Sequence, residues 1–159
     1  MANCRGIQDQ RIILAMAQKL QEEFDSPIFS ALSDVDNLAV TVGPGSQLIA
    51  LPTDEPPFFH FVQVSGSSHY EISIYYRNTL VEGREVVAIP GGTPQKWILE
   101  FQPKQNAFII KQLPIWPSRV WNVDSDKKIS MGWHEVGEFP RRMLFRIPLL
   151  EQEGGDNEA

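Results

Sequence analysis

A chain of 159 residues has room for one domain and little besides. Hydrophobic residues make up 42% and charged residues 21%, which excludes a collagen, a disulfide scaffold and a low-complexity chain. The net charge of −6 is unevenly laid out: residues 1–76 carry −6, residues 77–150 carry +4, and the end 151–159 holds four acids and no base. No apolar run approaches the roughly 20 residues a membrane helix needs, and Met1-Ala2-Asn3-Cys4-Arg5-Gly6 lacks the apolar stretch of a signal peptide, so no membrane partner is expected. The single cysteine, Cys4, has no internal disulfide partner, and a reducing, cytoplasmic setting is the expectation that follows.

From Gln8 to Phe24 the sequence has helical period. Ile12, Met16, Leu20 and Phe24 recur every four residues, Ile13 and Ala17 widen the stripe, Asp9 offers an N-cap, and Asp25-Ser26-Pro27 stops the run. After Pro27 the pattern becomes short β-type runs separated by Gly and Pro. Leu38–Val42 and Gln47–Leu51 flank Gly43-Pro44-Gly45-Ser46; Phe58–Val64 and His69–Arg77 flank Ser65-Gly66-Ser67-Ser68; Arg84–Ile89 and Gln95–Gln102 flank Pro90–Pro94. Ala107–Leu113 follows, then weaker runs at Val120–Val123 and Met143–Ile147. With about seven to nine strands and short loops between them, the expected fold is α+β. An N-terminal amphipathic helix would pack on a curved, mostly antiparallel, meander-like sheet, open or partly closed. Residues 1–150 form a single domain in this reading, and 151–159 a disordered acidic tail. That tail is either solubilising or a competitor of an acidic partner for the basic half.

A turn at Gly66-Ser67 sets a register for the central hairpin, pairing Val64 with His69, Val62 with Glu71 and His60 with Ser73. Phe59, Phe61, Tyr70, Ile72, Ile74 and Tyr76 then share the core face, and Phe58, His60, Val62, Glu71, Ser73, Tyr75 and Arg77 the mixed one. His60, Ser73 and Glu71 are the residue types of a catalytic triad, yet a mid-strand serine has neither a strained turn to expose it nor an oxyanion hole. A polar stripe is the better account.

Asp34-Val35-Asp36 and Asp124-Ser125-Asp126 could present paired carboxylates to a divalent cation. Ser33-Asp34-Val35-Asp36 ahead of an apolar strand is faintly similar to the acidic signature of small nucleotidyltransferases, which implies a metal-dependent enzyme using Asp34 and Asp36. The Gly-Ser phosphate turn of that family has no counterpart here, because Glu23-Phe24-Asp25-Ser26 holds its place. Both Asp pairs read more simply as turn residues that accept backbone N–H groups. His60, His69 and His134 are isolated, and no Cys-x-x-Cys or phosphate-loop spacing occurs, so neither a metal nor a cofactor is expected.

The densest signal is aromatic and basic. Trp97, Trp116, Trp121 and Trp133 all fall inside the positive half. Trp97 alternates with Leu99 and Phe101 as a core residue would. The region 114–146 is irregular and supplies Trp116, Arg119, Trp121, Trp133, Arg141 and Arg142 as candidate partner-binding residues, since Trp and Arg dominate protein hot spots. The first functional expectation is therefore a non-enzymatic protein-binding or accessory module. A nucleic-acid binder using the basic half is the alternative, weakened by the overall acidity. The Asp34/Asp36 enzyme is the third.

Overall fold

The computed structural model describes residues 27–114, 117–135 and 137–151. The helix expected over Gln8–Phe24 lies outside them, as do Trp116 and residues 152–159. Of the described residues 55% are strand and 8% helical. The helical share is two 3-10 turns, Pro44–Ser46 and Arg141–Met143, and one short helix at 148–151. The α+β expectation is thereby corrected: the described chain is nearly all β. The reason lies in the strands themselves, whose alternating apolar side chains close a core without help from a helix.

The strands run in chain order as β1 (Ile28–Ala31), β2 (Ser33–Asp34), β3 (Ala39–Val42), β4 (Leu48–Leu51), β5 (Phe58–Gln63), β6 (His69–Ile74) and β7 (Arg77–Glu82). They continue with β8 (Glu85–Pro90), β9 (Lys96–Gln102), β10 (Ala107–Lys111), β11 (Ser118–Val123), β12 (Ile129–His134) and β13 (Phe145–Arg146). All pairings are antiparallel. β6, β7, β8, β12, β11, β10 and β9 close on themselves as a seven-strand barrel, because β9 pairs both β10 and β6. β1 and β2 are one extended segment interrupted at Leu32, and through β5, β6, β9, β10 and β13 they close a second ring. The hairpins β3–β4, β7–β8 and β11–β12 meet one another through Gln47↔Val87, Ile49↔Lys128 and Ser130↔Glu85. Buried Gln47 fastens that junction by donating its side-chain amide to the Ile129 carbonyl at 3.1 Å. A closed antiparallel barrel with three mutually paired hairpins thus stands where a curved, meander-like sheet, open or partly closed, was expected.

The central hairpin has the register expected of it. His60 pairs with Ser73 and Val62 with Glu71, and the Val64 N–H donates to the His69 carbonyl at 2.8 Å. Phe59, Phe61, Ile72 and Ile74 are buried on the inner face. The turn itself differs from a two-residue form. Gly66 takes φ 67°, the Ser67 N–H and hydroxyl both donate to the Val64 carbonyl, and the Ser67 hydroxyl then accepts the His69 N–H. A serine side chain thus completes the turn that the backbone alone leaves open.

Both Asp-x-Asp segments make the same turn. The Asp34 carboxylate accepts the N–H groups of Asp36 and Leu38 at 2.9 Å each, and Asp124 accepts those of Asp126 and Lys128 at the same distance. Asn37 and Lys127, at matching positions, lie at φ 66° and 65°.

Large side chains fill the core in an edge-to-face chain. Trp97 and Trp121 have ring centroids 5.2 Å apart at 89°, and Trp121 and Phe145 stand 6.0 Å apart at 87°. Such perpendicular contacts place the positive edge of one ring against the negative face of the next. The Trp97 indole N–H donates to the buried Thr79 hydroxyl at 2.9 Å, and that hydroxyl donates to the Ile72 carbonyl at 2.6 Å. The Trp121 indole N–H, equally buried, has no acceptor among the described residues.

Candidate functional site

The Trp/Arg residues singled out in the sequence do not gather in one place. Trp121 is fully buried between Trp97 and Phe145 and belongs to the core, because the inward face of β11 has no other way to fill the barrel. Trp116 is outside the described residues. Arg119 and Trp133 are brought together directly, as cross-strand partners on β11 and β12. The Trp133 side chain is 60% exposed, and the Arg119 guanidinium stands 6.0 Å from its ring centroid. Arg119 is itself held: Nη1 donates to the Gln112 side-chain oxygen and Nη2 to the Gly83 carbonyl, both at 3.2 Å. Gln112 returns along the backbone to Arg119, and the next residue, Leu113, is exposed. The result is an outward indole beside a guanidinium, with the cation fixed in advance by two neutral acceptors.

Arg141 and Arg142 lie elsewhere. Their 3-10 turn packs Met143 toward Gly132, where an added Cβ would meet the Met143 terminal methyl at 2.9 Å. Gly132 and Trp133 alternate along β12, so the arginine turn and the exposed indole occupy opposite faces of the hairpin. Arg141 forms an exposed ion pair with Asp36 at 2.5 Å. It also lines a cleft of about 360 Å³ together with Val35, Gln105, Asn106, Leu144 and Arg146. Arg146 grips Glu151 with two parallel bonds of 2.6 and 2.8 Å. That hydrogen bonding, against some desolvation and aided by the carboxylate charge, raises the guanidinium pKa above its ordinary value.

Neither enzymatic arrangement acquires working geometry. His60 packs its ring edge-to-face on Phe29 at 4.0 Å, and no hydrogen bond joins it to Ser73 or Glu71. Asp34 is buried with its carboxylate engaged by two amides, and Asp36 faces Arg141. No group of three or more His, Cys, Asp or Glu side chains among the described residues could hold a metal ion. No helix among them is long and apolar enough to cross a membrane.

One exposed feature escaped the sequence reading. Tyr76, assigned there to the core face, is 97% exposed, and Tyr75 is 64% exposed. They form the two-residue turn between Ile74 and Arg77, with φ 51° and 59°. Positive φ at both central positions is the demand of a type I′ hairpin turn, normally met by Asn-Gly. For bulky side chains it costs on the order of 1–2 kcal/mol per residue. Replacing the pair, Tyr75→Asn with Tyr76→Gly, should raise stability by about 1–2 kcal/mol after the added chain entropy of glycine. Thermal unfolding would show this as a midpoint higher by a few degrees; a lower midpoint would mean the two rings make contacts worth more than the strain. Phe58, at the start of β5, is also exposed.

The exposed indole and tyrosine rings thus stand on hairpin faces and turns of a closed antiparallel barrel. No protein-family model matches the chain, and no curated protein matches its sequence. Among solved structures it resembles a proteinase inhibitor from Coprinopsis cinerea, with a TM-score of 0.56 and 17% identity over 77% of this chain and 97% of that one. At that identity the likeness is one of fold.

Proposed function

We propose that this chain is a non-enzymatic protein-binding module whose contact surface centres on Trp133 and Arg119. The observation that carries the reading is the exposed Trp133 ring beside a guanidinium already fixed by Gln112 and Gly83. Hot spots are enriched in Trp and Arg, and a side chain ordered before binding forfeits less entropy on contact. Of the residues expected in the 114–146 region, Arg119 and Trp133 carry this surface, while Arg141 and Arg142 lie on another face.

The resemblance to a proteinase inhibitor makes endopeptidases the first partner class to test. Binding and inhibition would be measured against one serine, one cysteine and one aspartic endopeptidase. One of them should bind, and W133A should weaken that binding by about 30-fold or more, the scale of a hot-spot truncation. Trp133 is exposed, so W133A should leave the unfolding midpoint nearly unchanged. Unaltered affinity in W133A would overturn the surface assignment, and no binding in any class would remove endopeptidases as the partner.

A further inference from the structure

Building on the protein-binding reading above, we propose that the partner segment meeting Trp133 and Arg119 carries a single carboxylate for the guanidinium and an apolar side chain for the indole. Arg119 differs from the other anchored cations. Lys111 holds Glu100, Arg141 holds Asp36 and Arg146 holds Glu151. Arg119 is anchored as well, yet by oxygens without charge: the Gln112 side-chain amide and the Gly83 carbonyl, each at 3.2 Å. It forms no ion pair with any described residue. Two neutral acceptors fix the group in space and leave its charge whole. They take two of the five N–H donors a guanidinium carries, and the rest remain for an oxygen from outside.

A carboxylate is the acceptor that gains most there, because its hydrogen bonds with a guanidinium are charge-assisted and about twice as strong as neutral ones. Gln112 and Gly83 have ordered Arg119 beforehand, so little rotamer entropy is lost when the acid arrives. The Trp133 ring, its centroid 6.0 Å from that guanidinium, offers an exposed apolar plane next to the charge. An Asp or Glu adjoining an aliphatic or aromatic residue matches the pair. The surroundings decide between one acid and many. Glu82 and Glu85, both exposed, pair across the turn that holds Gly83 and the exposed Arg84, and Glu135 is exposed just beyond Trp133. These three acids outnumber Arg84 and Arg119, so a polyanion such as nucleic acid is repelled where one carboxylate is accepted. A segment whose single acid is flanked by neutral or basic residues suits both the cation and its acidic border.

A short random peptide library displayed on phage supplies the probes, panned on the full chain with W133A as counter-selection. Recovered peptides should carry an Asp or Glu adjoining an aliphatic or aromatic residue. Replacing that acid by its amide should weaken binding by about 10-fold, and R119Q should weaken the parent peptide by the same factor. Both changes together should cost scarcely more than either alone, because they remove one shared contact. The acid-to-amide change touches only the peptide, so it tests the carboxylate even where R119Q disturbs the fold, which unfolding midpoints would reveal. A single-stranded oligothymidylate should not compete. Competition that disappears in R119Q would assign the surface to phosphate and overturn the carboxylate. Trp133-dependent peptides without an acid, or amides that bind as well as acids, would overturn it while leaving the Trp133 contact standing. Recovery of no peptide after counter-selection would overturn it too, and the endopeptidase measurements would then decide the Trp133 surface alone.

Discussion

Thr79→Val is expected to destabilise the protein by about 2–4 kcal/mol, although valine matches threonine in shape and the site is wholly buried. The hydroxyl stands between two buried groups, accepting the Trp97 indole N–H and donating to the Ile72 carbonyl. Valine removes both partners at once, and a buried donor or acceptor left without one costs about 1–3 kcal/mol. Thr79→Ser keeps the hydroxyl and loses one methyl, so it should cost about 1 kcal/mol. Urea unfolding with an unchanged m-value would separate the two variants. If valine and serine behaved alike, the Trp97–Thr79–Ile72 link would contribute nothing to stability.

Trp121→Ala should cost about 3–5 kcal/mol, the range for truncating a buried aromatic. The ring touches Trp97 from β9 and Phe145 from β13, so its loss opens a cavity where separate parts of the second ring converge on the core. Trp121→Phe should cost far less, about 1 kcal/mol or under. Its indole N–H finds no acceptor among the described residues, so removing it also removes a desolvation penalty. Trp97→Phe makes the same chemical change at a ring whose N–H is bonded, and should be clearly worse. A Trp121→Phe variant as unstable as Trp97→Phe would refute this difference.

These two tryptophans show what the sequence reveals and what it hides. Alternation with Leu99 and Phe101 placed Trp97 in the core, where it is. Trp121 falls in the weaker run Val120–Val123 just after two prolines, where it was a partner-binding candidate; its inward direction is set by pairing with β12, a long-range fact. The central hairpin was legible to the residue because a Gly-Ser turn and two alternating runs over-determine its register. The strand after it was not. Tyr75-Tyr76 has high β propensity and none of the usual turn residues, so local pattern carries the strand through the place where the chain reverses. The Asp-x-Asp turns were readable from side-chain chemistry alone, whereas closure of the sheet was not, since it depends on pairs such as Phe145↔Asp34. Arg119 and Trp133 were both named from composition; that they touch each other, and that Arg141 does not join them, only the fold determines.

The pairing of Phe145 with Asp34 also has a consequence for the order of events in synthesis. β2 and β13 complete the same ring yet stand at opposite ends of the described residues, so a ribosome must deliver everything between them before either can find its neighbour. Local hairpins such as β5–β6 and β7–β8 can form as they emerge, but β2 must wait with one edge bare. Chains dominated by such distant pairings fold slowly, in milliseconds to seconds, and expose unpaired edges meanwhile. Opening the chain between the two strands and joining residue 159 to residue 1 would bring that last pair much closer in sequence. Such a circular permutant should fold faster than the natural order while reaching the same barrel.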